Sequence, residues 1–162
     1  DGKANPIDRW STHVITTIAK DLEATPVFPF GGPPYAPFID WAKASGRAWN
    51  SPVGMLVHDT TGLMVSYRGA LAFKERLELP KQAFQNPCDT CAQKPCLSAC
   101  PVSALSVDEY NVPACHAYLD TDEGNNCLTV GCIVRRACPA SAGAHRLAAQ
   151  SAHHMRVFRG NK

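Results

Sequence analysis

The sequence predicts an α+β protein: a small α/β lobe with a β-hairpin, residues 1–80, packed on a cysteine-built lobe, residues 81–162. Three observations lead there. All eight cysteines fall from position 88 onward. The stretch before them joins one helical stripe to short apolar runs and turn residues. At 162 residues and 45% hydrophobic content, the chain suffices for one domain or two small lobes with a real core.

The first lobe opens at Asn5-Pro6, a capping residue followed by proline at the first helical position. Trp10, Val14, Ile15, Ile18 and Leu22 recur at helical spacing and predict one apolar, core-packed face. Pro26 to Phe30 is an apolar run that its prolines demote to an edge strand. Gly31, Gly32, Pro33 and Pro34 then form a loop, either a plain turn or a close approach to a ligand. Pro37 to Ser45 reads as a short helix closed by Gly46. Met55 to His58, the turn Asp59 to Gly62 and a return strand Leu63 to Tyr67 read as the hairpin. His58, just before the turn, is either a partly exposed structural histidine or a functional one. So thin a lobe is expected to lean on the cysteine lobe, a second copy or upstream residues. The chain begins at Asp1 without methionine, and a processed or trimmed piece of a longer protein is one reading of that.

Cys88 to Pro101 reads CDTCAQKPCLSACP, a C-x2-C-x4-C-x3-C-P spacing. The bacterial ferredoxin run is C-x2-C-x2-C-x3-C-P, and its fourth cysteine ligates the other cluster of a pair. A cubane [4Fe–4S] cluster needs four thiolates directed at one small volume. Cys88 and Cys91 can supply two from one loop, and Cys96 a third. Cys100, expected on a helical turn, can then point to a second cluster, whose own cysteines must return one ligand to the first. Cys115, Cys127, Cys132 and Cys138 provide that second set, and Cys138 again precedes a proline, Pro139. Zinc and disulfides are the alternatives. The pairs are not two matching C-x2-C knuckles, and no secretory signal points to an oxidising compartment. The gaps around Cys127, Cys132 and Cys138 leave the ligand assignment of this half open. Arg135 and Arg136 fall between two ligands and either tune a cluster, dock an acidic partner or make surface ion pairs.

Between the cysteine sets, Ala104 to Val112 reads as an irregular hairpin, and Pro113 starts a short helix with Cys115, His116 and Tyr118. Asp120 to Asn126 is an acidic loop. Ala144 to Phe158 is the last helix, with Leu147, Ser151, Met155 and Phe158 on a core-covering face. The formal charge is +2; eight thiolates holding two oxidised cubane cores would bring it to about −2. That balance makes no case for nucleic-acid or membrane attraction, and a cytoplasmic location is expected. No nucleophile–base pair, carboxylate pair or P-loop appears, so no catalytic residue is assigned.

Several stretches together resemble the iron–sulfur half of epoxyqueuosine reductase, a cobalamin-dependent tRNA-modification enzyme. They are Leu56 to Leu71, Leu77-Glu78-Leu79-Pro80, the first cysteine run, and Ala114-Cys115-His116-Ala117-Tyr118-Leu119. Reductive dehalogenases share the plan of a cobalamin domain joined to a dicluster ferredoxin module. The resemblance covers roughly 51–139. Pro6 to Trp10 is similar to a motif of uncharacterised bacterial ferredoxin-like proteins that carry an upstream segment. The resemblance implies crossed ligation: Cys88, Cys91, Cys96 and Cys138 on one cluster, and Cys100, Cys115, Cys127 and Cys132 on the other. The family's catalytic aspartate has no counterpart, because the matching stretch Phe28 to Pro33 holds no acid.

The expected function is therefore single-electron transfer through two [4Fe–4S] clusters to a redox protein partner. One alternative is part of a cobalamin-linked reductase, with Gly31, Gly32, Pro33, His58 and Tyr67 lining the cofactor site. The other is a redox-sensing or structural cluster protein.

Overall fold

A computed structural model describes residues 2–79 and 83–160. The fold is mixed α+β, with antiparallel sheets of two strands each among the described residues. Two units form, each discontinuous in sequence: Asp1–Ala42 with Ser66–Ala83, and Lys43–Val65 with Phe84–Lys162. The division expected at residue 80 is thus only one of the crossing points.

In the first unit, Pro6 sits at the start of α1 (Pro6–Asp21), while Asn5 is left-handed and makes no side-chain cap bond. The helix packs on a ladder of β1 (Thr25–Val27) and β4 (Ala70–Ala72), with Pro26 opposite Leu71. The expected apolar face is corrected here. Ser11 and Ala19 are the buried residues of α1, whereas Trp10 is 61% exposed and Ile18 and Leu22 are exposed too. Val14 and Ile15 of the expected stripe are half-buried, and Ile15 lies against Gly69 beside the ladder. At Gly69 a Cβ would lie 2.5 Å from Ile15 Cδ1 and 3.1 Å from Val27 O, so a larger residue would require Ile15 to shift. Arg68 fastens the unit: its Nε donates to Ser11 Oγ (3.2 Å), it pairs with Asp8, and its guanidinium lies 5.3 Å from the Phe30 ring centre. The helix α2 (Phe38–Ala44) ends as expected at Gly46, whose φ is +70°.

The second unit corrects the hairpin. β3 (Leu56–His58) pairs not with 63–67 but with β2 (Ala48–Asn50), Trp49 lying opposite Val57. Past the turn, only a His58–Gly62 bridge remains. The reason lies at Leu63. Its N–H donates to Ser141 Oγ (3.0 Å), and its carbonyl accepts from Arg135. Both backbone groups are thereby withdrawn from any ladder, and the side chain is 1% exposed. The close fit extends to Gly62, where a Cβ would stand 2.4 Å from the Ser141 nitrogen.

α3 (Val112–Leu119) is capped by Asn111, whose side chain accepts from Ala114 N–H. α4 (Asn125–Val130) and α5 (Ile133–Ala137) follow, joined through Gly131 and Cys132. Gly131 has φ +101°, and its missing side chain leaves room for Ser151. The last helix, α6 (Ala148–Arg159), packs on α4. It begins later than expected, after a 3₁₀ turn at Pro139–Ala144. Leu147 precedes it and is exposed, while Ser151 and Ala152 are buried. Arg159 at its end donates to Asp120 Oδ1 (2.8 Å).

The core of this unit is Val53, Val57, Leu63, Val134 and Cys96, with Cys88, Cys100, Cys132 and Cys138 packed against it. No described helix is long and apolar enough to cross a membrane. Replacing Ser141 by alanine leaves the buried Leu63 N–H without its acceptor. The expected loss is about 1–3 kcal/mol, read as a lower chemical-denaturation midpoint for S141A.

Candidate functional site

The thiols are positioned by short, proline-punctuated elements. Asn86 Oδ1 accepts from Cys88 N–H (3.0 Å), which closes the turn into the first pair. A left-handed Lys94 and Pro95 start the 3₁₀ turn Pro95–Leu97 that buries Cys96. Cys100 comes after that turn, not on a helix. Cys115 rides on α3, Cys127 on α4, and Cys132 and Cys138 flank α5 at its two ends.

An open cavity of ≈ 630 Å³ is lined by Cys88, Cys91, Cys96 and Cys138, with Val57, Leu63 and Pro139 among its walls. A cysteine forty-two residues beyond Cys96 thus shares a wall with the first run. The electrostatics group the same residues. Burial pushes the Cys88 thiol up, and Cys138, Cys96 and Cys91 push it further, against a lowering by Lys94. Cys96 is raised by burial, then by Cys138 and Cys91.

A second foursome forms around α3 and α4. Burial raises the Cys115 thiol, the Tyr110 hydroxyl opposes that, and Cys132, Cys100 and Cys127 add to the rise. Burial raises Cys127 as well, opposed by the Ile133 N–H and Arg136, and Cys132 and Cys100 act on it in the same direction. Backbone and side-chain donors reach this foursome: Ala104 N–H donates to Cys100 Sγ (3.3 Å) and Tyr110 O–H to Cys115 Sγ (3.7 Å). No disulfide joins any of the eight. Among the described residues, no three His, Cys, Asp or Glu side chains converge tightly enough to hold one metal ion.

Among the described residues, neither arginine between the candidate ligands has an ion pair. Arg135 donates to Leu63 O; Arg136 Nε donates to Gly131 O (2.9 Å) and its Nη2 to Asn126 Oδ1. Both tie ligand-bearing segments to neighbouring backbone.

The remaining candidates fall elsewhere. Gly31, Gly32, Pro33 and Tyr67 belong to the first unit and His58 to the second. His58 Nδ1 lies 2.8 Å from Asp59 Oδ1, and Asp59 accepts two bonds from Arg47 (3.0 and 3.1 Å). Thr60 N–H also approaches Nδ1 (3.2 Å). His58 therefore braces its turn. Tyr110 escaped the sequence reading. It precedes Cys115 by five residues, and only the fold of the intervening chain aims its hydroxyl.

No protein-family model, curated protein or solved structure matches this chain.

The raised thiols set a pH dependence. In the unfolded chain they would titrate near the ordinary value of 9.0; in the fold they keep their protons to higher pH. The unfolded state then binds fewer protons above that value, so stability is fully present below it and falls as pH rises past it. Denaturation of the metal-free protein should show a lower midpoint at pH 10 than at pH 7.

Proposed function

We propose that the second unit holds two [4Fe–4S] clusters and serves as a single-electron carrier. The observation that carries this is the sorting of eight thiols into two foursomes, each completed across the sequence. Cys138 joins the first run at the cavity, and Cys100 leaves that run for the other group. Crossed sharing of this kind belongs to two-cluster ferredoxins. The resemblance to the iron–sulfur half of epoxyqueuosine reductase supports the same pairing.

The donor set suits clusters better than single ions. Zinc would draw four sulfurs to about 2.3 Å from one point. A cubane takes each thiolate on a separate iron. When bound, such a cluster supplies reversible one-electron storage. The cysteines would hold it, with Val57, Leu63 and prolines as apolar walls of the cavity and the Ala104 N–H as a donor to Cys100 Sγ. A structural contribution accompanies this role, because four cysteines pack directly on the apolar core.

Anaerobically reconstituted protein should carry about eight irons per chain and accept about two electrons. Substitutions C88A and C138A should each lower iron toward about four and abolish the same EPR signal, while C115A abolishes the other. If C138A and C115A abolished one and the same signal, the crossed assignment would fail. Titration with cob(II)alamin separates the possible partners. Reduction of the cobalt at stoichiometric protein points to a cobalamin-linked reductase, and an unchanged cobalt spectrum to a protein acceptor.

A further inference from the structure

Outside the thiols themselves, one side chain is held in place with its polar atom on a candidate ligand. Tyr110 closes a short hairpin. It bridges Leu105, Ser106 and Glu109 exchange bonds across the turn (2.9 and 3.0 Å), and Asn111 N–H donates to Ala104 O (2.8 Å). Its ring stacks on Phe158 of α6, with centroids 5.8 Å apart and planes 11° from parallel. Phe158 is wedged in turn by His116 of α3, edge-on at 4.7 Å. Hairpin and stack together leave the phenol O–H directed at Cys115 Sγ, at 3.7 Å.

The other end of the same hairpin does the same for a second thiol of that foursome: Ala104 N–H donates to Cys100 Sγ at 3.3 Å. One hairpin thus delivers two donors to one group. In the foursome at the cavity, no described side-chain hydroxyl donates to a thiol; Cys96 receives backbone N–H alone. The two sites are chemically unequal.

Hydrogen bonds to cluster sulfurs are a lever on reduction potential. A donor strengthens as its acceptor gains negative charge, so it favours the reduced form. We propose that Tyr110 is a positioning residue that raises the reduction potential of the cluster held by Cys100, Cys115, Cys127 and Cys132, making it the electron-storing member of the pair. The inference rests on the two-cluster reading above. The step it governs is the gain of one electron from a low-potential donor, with no bond made or broken and the phenol proton kept on Tyr110.

The test compares wild-type protein with Y110F, which keeps the ring on Phe158 and removes only the hydroxyl. Both are reconstituted anaerobically, assayed for iron, and titrated with dithionite while EPR is recorded. With about eight irons in each, Y110F should lower one midpoint potential and leave the other unchanged. The expected change is about threefold to tenfold in the reduction equilibrium, tenfold being about 59 mV for one electron. Unchanged potentials, or equal shifts of both, would overturn the inference while leaving the clusters in place. A wild-type iron content far from eight would overturn the cluster reading instead. Should Y110F fail to load, difluorotyrosine placed at position 110 keeps the ring and gives a stronger donor. It should raise the same potential, and no rise would overturn the role.

Discussion

The second unit depends on cysteine serving twice, as candidate ligand and as filler of the interior. Its apolar core is small: Val53, Val57, Leu63 and Val134 are joined by Cys96, and four more cysteines pack against them. Thiols behave as small hydrophobes in such a setting. Burial that stabilises the fold also raises their affinity for protons, as Cys88, Cys96, Cys115 and Cys127 all show. Gathering thiolates in one interior is costly unless positive charge neutralises them.

That interior also decides where strands can form. Leu63 is drawn fully into the core, and its N–H and carbonyl go to Ser141 and Arg135. The chain beyond the turn at Asp59–Gly62 then cannot return as a strand, and β3 takes β2 as partner instead. The segment Lys43–Val65 thereby becomes part of the cysteine-bearing unit. Arg135 sits between candidate ligands in sequence yet spends its donor on this backbone. The first unit is held by different means, a small-residue helix face on a two-stranded ladder and one arginine joined to Asp8, Ser11 and the Phe30 ring.

The two foursomes differ in surroundings as well as membership. One opens on a cavity walled by Val57, Leu63 and prolines. The other lies under α3 and α4, with donors from Ala104 and Tyr110.

The sequence by itself determined the elements that short-range chemistry controls. Pro6 starts α1, Gly46 ends α2, and Pro113 lies in the first turn of α3. It also marked the eight cysteines as candidate ligands, and Cys88, Cys91, Cys96 and Cys138 line one cavity. Tertiary structure decided what periodicity cannot carry. The α1 face held in part: Val14 and Ile15 are half-buried, but Ser11 and Ala19 are the fully buried positions while Trp10, Ile18 and Leu22 face outward. The hairpin was misread because Leu63's backbone partners lie more than seventy residues away. Tyr110 was invisible for the same reason: its hydroxyl is aimed by a hairpin and by Phe158, forty-eight residues on, and no local pattern encodes that meeting.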